Sequence, residues 1–220
     1  MEDDSRSPAA SHQAIARFID RESPPDTDPN SSFWSGAPRV AAEVDFYGRP
    51  VPGHKTNILL QWTPKSLYIL FVCPYEELNL KPDPNLTDET YRLWDWDVAE
   101  VFIGDDFRNI RRYKEFEVSP QGEWVDLDVN LDNPPHETGW VWKSGCEVAA
   151  RIDTAQKIWY GFTRIPWPSI DHRVPEAGNE LRVNFYRCQG SDPDRKYIAW
   201  SPVHRESFHT PEAFGILKLL

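Results

Sequence analysis

Residues 180–188 (ELRVNFYRC) set Leu181, Val183 and Phe185 against Arg182, Asn184 and Tyr186. A period of two belongs to a β-strand, whose successive side chains leave the backbone on opposite faces. One face of this segment packs and the other is chemically equipped, so the chain must build sheet around it. The pattern recurs. Residues 98–103 (VAEVFI) place Ala99, Val101 and Ile103 on one face and Val98, Glu100 and Phe102 on the other, and residues 113–118 (YKEFEV) oppose Phe116 and Val118 to Glu115 and Glu117. Residues 57–63 and 67–73 are nearly continuous apolar runs flanking Pro64-Lys65-Ser66, which reads as a hairpin near the core.

Further strands are predicted at residues 124–129, 147–152, 159–165, 197–200 and 215–219, while residues 14–20 fit an edge strand or one helical turn. The 20 prolines and the 10 Trp, 11 Phe and 8 Tyr favour strands and turns over long helices. The expected fold is all-β: a two-sheet antiparallel β-sandwich, jelly-roll-like, with little helix. Its expected extent is residues 14–220, after a frayed polar segment at residues 1–13, and residues 23–32 are too rich in Pro, Asp and Ser for regular structure.

Charge narrows the partner. With 24 Lys plus Arg against 35 Asp plus Glu, the net charge is -11, which repels nucleic acid phosphates and anionic lipid headgroups. A neutral or cationic partner fits better. Cys73, Cys146 and Cys188 leave one thiol unpaired in any pairing, so buried free thiols are expected rather than a disulfide framework. The start Met1-Glu2-Asp3-Asp4 is acidic and no apolar run follows it, so no export signal is read there, nor is any stretch long enough to span a membrane.

The segment WDWDVAEVFI at residues 94–103 resembles the W-x-x-D-x-V-E-x-F-I pattern of the family 9 carbohydrate-binding modules, which belong to the DOMON-like β-sandwich group. Four further matches follow the family's chain order: LYILF at residues 67–71, IPW at 165–167, IAWS at 198–201 and FGIL at 214–217. The resemblance covers roughly residues 14–220. It implies non-catalytic binding of a mono- or oligosaccharide end, clamped between two aromatic side chains, in the service of polysaccharide breakdown. Trp94 matches the first clamp residue, Phe208 falls at the second, and Glu100 matches the motif glutamate. Where the family carries an arginine on the neighbouring strand, this chain has Glu117. An extracellular or periplasmic location follows from the resemblance alone.

Sugar chemistry widens the candidate set. A pyranose stacks its C–H face on an aromatic ring while its hydroxyls demand donors and acceptors. Asn184, Arg187, Trp200, Arg205 and His209 join Trp94, Glu100, Glu117 and Phe208 on that ground, although Arg187 alternates away from Asn184. The resemblance also brings structural calcium; Asp83, Asp95, Asp97, Asp105 and Asp106 offer hard oxygen ligands in loops, with no ligand set assigned. His204, Glu206 and His209 match no standard zinc spacing. Haem is not expected, because Met1 is the only methionine and Met/His ligation is thereby excluded.

Two alternatives stay open. Glu100 and Glu117 are a carboxylate pair that cross-strand placement could bring to the spacing of a retaining glycoside hydrolase, about 5 to 5.5 Å. The aromatic residues could instead form the hot spots of a protein-interaction sandwich. A monomer is expected, with any hydrolase a separate chain.

Overall fold

Thr63 closes the first hairpin. Its N–H donates to the Ser66 carbonyl at 2.9 Å, and its Oγ1 accepts the Lys65 and Ser66 N–H groups at 3.2 and 3.1 Å. The turn joins β3 (Thr56–Trp62) to β4 (Ser66–Pro74), paired from Trp62↔Leu67 to Asn57↔Val72. The computed structural model describes residues 12–133 and 140–220. Among them lie ten other strands: β1 (Gln13–Phe18), β2 (Arg39–Ala42), β5 (Val98–Gly104), β6 (Arg112–Val118), β7 (Trp124–Asn130), β8 (Glu147–Asp153), β9 (Ile158–Pro166), β10 (Glu180–Gln189), β11 (Lys196–Ala199) and β12 (Gly215–Leu219). Helix is confined, among the described residues, to three 3-10 turns of three residues each. The expected frayed start falls largely on residues 1–11, outside the described residues, and Gln13 already belongs to β1.

The all-β expectation holds, but the hydrogen bonding does not stop between two sheets. It runs β7-β6-β5-β10-β12-β1-β3-β4-β9-β8, with β11 beside β10 and β2 beside β3. The join is β1. Its first half pairs in parallel with β12 (Gln13↔Ile216 to Ala16↔Leu219), and its last two residues pair in parallel with β3. The result is one large sheet curled almost into a barrel. β1 is therefore neither the edge strand nor the helical turn expected of it. Ala14 and Ala16 are buried to 1% and 0% exposure, small enough to let both neighbours close in.

The curled sheet encloses an apolar core to which its two halves contribute Val101, Phe116 and Phe185 on one side and Ile69, Phe71 and Trp159 on the other. The Phe71 and Phe185 rings meet edge to face at 6.3 Å. The other face of β4 and β9 is covered by residues 33–37, with Trp34 held by its Nε1–H donating to the Asp26 carbonyl at 3.0 Å. Cys73 and Cys188 are buried and Cys146 half-buried, all as free thiols. Among the described residues no helix is long and apolar enough to cross a membrane.

Candidate functional site

The outer face of β5, β6, β10 and β11 forms a floor. Alternation aims Glu100 and Phe102 (β5), Glu115 and Glu117 (β6), Tyr186 and Cys188 (β10) and Tyr197 (β11) to this side. Glu100 sits in register with Tyr186 on one side and Glu117 on the other, and Phe102 opposes Glu115. Above this floor opens a cavity of about 1120 Å³, walled by Trp94, Phe46, Tyr197, Phe208 and His209, with Glu100 and Glu115 at its base.

One oxygen from each of Glu100, Glu115 and Glu117 lies within 4.8 Å of the others. All three residues are buried, at 2%, 3% and 0% exposure. Glu100 Oε1 accepts the Cys188 thiol at 3.2 Å, whereas both Glu117 oxygens and Glu115 Oε2 have no partner outside the trio, within which Glu115 and Glu117 face each other. Burial removes the water that would solvate a charge and is the first cause for all three, Glu100 further repels Glu115 and Glu117, and all three titrate above the ordinary carboxylate range although Arg195 draws Glu100 part of the way down. Burial likewise pushes the Cys188 thiol well up, which makes it a donor to Glu100 rather than a nucleophile.

Trp94 sits on a 3-10 turn, Leu93–Asp95, that enters from Arg92 in the left-handed region (φ 62°) and is pinned by buried Leu93. Arg195 fastens this loop. Its guanidinium donates to the carbonyls of Trp94 (2.6 Å), Asp95 (3.0 Å), Trp96 (3.0 Å) and Gly190 (2.9 Å), while itself lining the cavity. The Tyr91 ring braces Trp94 edge-on at 5.3 Å. On the β10–β11 side, Phe208 stacks on Tyr186 (4.0 Å, 18°) and contacts Phe46 at 4.9 Å, and Phe46 stacks on Tyr197 at 5.0 Å.

Asn184 lies beneath this wall instead of in it. Its amide donates to Tyr186 Oη (2.8 Å) and the Ser201 carbonyl (2.9 Å), its oxygen accepts the Phe185 and Ser201 N–H groups, and Tyr186 Oη donates onward to the Phe208 carbonyl at 3.2 Å. Asn184 is a positioning residue for Phe208. His209 lines the cavity with Nδ1 2.6 Å from Tyr113 Oη. Arg187 points into the inter-strand core, 0% exposed, bonding Thr56 Oγ1 at 3.2 Å and Gln189, so strand alternation carries it away from the cavity. Trp200 is also in that core, edge-on to Phe185 at 5.6 Å. Arg205 is exposed on the loop after β11 and does not line the cavity. The structure thus gathers Trp94, Glu100, Phe208 and His209 in one cavity, puts Glu117 just behind its floor, and sets Asn184, Arg187, Trp200 and Arg205 elsewhere.

Sequence reasoning missed Phe46, Glu115, Arg195 and Tyr197. Alternation could have found two of them: Glu115 shares the Glu117 face, and Tyr197 faces away from buried Ile198. Of the loop aspartates, Asp97 is consumed by the Gly190 and Asn79 N–H groups and the Gln189 amide, and Asp106 by the N–H groups of Arg108 and Asn109. The loop aspartates do not converge. Among the described residues, the one group of three metal-capable side chains within reach of each other is Glu100, Glu115 and Glu117.

Carbohydrate-binding modules are among the solved structures to which this fold is similar. A Bacteroides uniformis ATCC 8492 protein provisionally assigned to carbohydrate binding superposes with a TM-score of 0.74 at 15% identity, covering 96% of this chain and 100% of that one. A family 9 module from Caldicellulosiruptor kristjanssonii in complex with glucose gives 0.68 at 13% identity over 95% and 96% of the two chains, and one in complex with cellotriose gives 0.66 at 12% over 94% and 93%. Residues 139–219 match the family model for carbohydrate-binding family 9. The resemblance read from the short motifs is borne out. That segment holds β10, β11, Tyr197 and Phe208, while Trp94 and the three glutamates precede it. An "Extracellular protein" of Arthroderma benhamiae is 25% identical over 185 residues, 76% of this chain and 82% of that protein.

Proposed function

We propose that the cavity binds the end of a mono- or oligosaccharide without cleaving it, with Trp94 and Phe208 offering the aromatic faces of the clamp and Glu100 accepting hydroxyl hydrogens. The observation that carries the reading is the joining, in one cavity, of aromatic walls to a polar floor, which is the combination a pyranose demands. The glucose and cellotriose complexes of similar modules support it. The name of the Arthroderma benhamiae relative supports an extracellular setting, where the protein would serve polysaccharide breakdown by separate hydrolases.

Glu100 and Glu117 support binding over hydrolysis. They stand side by side on adjacent strands, with Glu117 shut behind the floor, whereas hydrolysis needs two carboxyls flanking the scissile bond. Titration calorimetry with glucose and cellotriose, alongside tryptophan fluorescence, tests the reading. Trp94→Ala should weaken binding by about 0.5–1.5 kcal/mol, the worth of a stacking contact beyond area burial. Silence across a broad glycan panel, with the fold confirmed by circular dichroism, would overturn it.

A further inference from the structure

Glu115 has no role in the clamp, yet its unpartnered Oε2 is buried at the base of the cavity beside Glu100. Three carboxyls in this position have no Lys or Arg in ion-pair contact among the described residues. Arg195 lines the same cavity and its charge acts on Glu100, but its N–H groups are spent on four carbonyls; Arg182 donates to the carbonyls of Asp106 and Arg112, and Lys114, on the other face of β6, pairs with Asp128. Arg195 supplies one positive charge beside three buried carboxyls, and buried charge short of a counterion is costly, so the floor favours a ligand that brings positive charge of its own.

The geometry says which kind. A primary ammonium has three N–H donors, and three acceptors about 2.8 Å away in tetrahedral directions stand roughly 4.6 Å apart. The three carboxyl oxygens stand no more than 4.8 Å apart, so Glu100 and Glu115, which line the cavity, can share one ammonium while Glu117 lies behind them. Phe102 on the floor and Trp94, Tyr197 and Phe208 on the walls add aromatic rings, whose faces attract an organic cation. A hard divalent ion would instead need further oxygen ligands, about six to eight for calcium, whereas Phe102 and Cys188 beside the carboxyls on the floor offer none. Resting on the carbohydrate-binding reading, we infer that the cavity selects amino sugars, seating a protonated amine on Glu100 and Glu115 with Glu117 behind them. Glu117 adds a third buried carboxyl behind a floor suited to a cationic sugar.

The test compares cellotriose, the β-1,4-linked glucosamine trimer and its N-acetylated counterpart, together with glucose against 6-amino-6-deoxyglucose, by calorimetry at about pH 7.5, where Glu100, raised to about 7, is largely ionised and the medium is still below the ordinary pKa of an amine. An amino sugar should bind at least tenfold tighter than its neutral twin and lose that margin on N-acetylation and with added salt. Glu115→Gln and Glu117→Gln, both near-isosteric, should bring the ratio of amino to neutral affinity towards one. Binding of cellotriose with no amine preference would overturn the inference and leave the sugar reading standing. Binding of none of these sugars would remove both. An amine preference unchanged in both variants would assign it to the net charge and overturn the inference. Calcium alone binding at micromolar concentration and abolishing the preference would make the trio a metal site and overturn it as well.

Discussion

Arg195 lines the site and also organises it. Four carbonyl acceptors leave its guanidinium no freedom, and three of them belong to consecutive residues of the Trp94 loop. Arg195→Ala should therefore weaken sugar binding severalfold through a mispositioned Trp94, and calorimetry with a Trp94 fluorescence readout checks it. Asn184→Ala strips partners from buried Tyr186 and Ser201 groups; each unsatisfied buried group costs about 1–3 kcal/mol, so a lowered denaturation midpoint and looser packing of Phe208 are expected. Trp94, Glu100 and Phe208 were legible because short motifs surround them. Arg195 was not, because three of its four targets are main-chain carbonyls about a hundred residues away, and carbonyls leave no mark in a sequence.

At the scale of elements, β5, β6 and β10 were visible because each buries one face and arms the other, so a period of two survives in the residue types. β2 (RVAA) escaped: four residues are too short to show a period, and two alanines suit either face. β1 was ambiguous for a different reason. Its role depends on two partners distant in the chain, and parallel pairing has no connecting turn to announce it. Its packing also explains Gly215, where β12 begins: a Cβ there would strike the His12 carbonyl and come within 2.7 Å of the Trp200 ring. Gly215→Ala should destabilise the protein by about 1–3 kcal/mol, as overpacking does, and chemical denaturation would show the loss.

For the whole molecule, buried carboxyls set the pH response. Burial lifts Glu100 to about 7, Glu115 to about 8 and Asp126 to about 7, and Glu117 also rises. In the unfolded chain these groups titrate near 4.5 for Glu and 3.8 for Asp. The folded state thus holds its protons more tightly, and the stability this contributes is full below the unfolded values and disappears as pH rises through the folded ones. The melting temperature should be higher at pH 5.5 than at pH 8.5, with about 2–4 °C lost for each kcal/mol. Glu117→Gln should flatten that decline; an unchanged slope in scanning calorimetry would show that the trio is not its source.

The strand that closes the curl has a consequence for how the protein is made. Gln13 is among the first residues of the fold to leave a ribosome and Ile216 among the last, yet they are register partners. Until β12 has emerged, β1 can lean only on the two residues it shares with β3, and the edge of β10 that β12 will occupy stays open. Closure therefore waits until β12 has emerged, with a long loop to bridge and exposed edges to protect meanwhile. A nascent chain stalled before residue 215 should be far more sensitive to protease than the released protein.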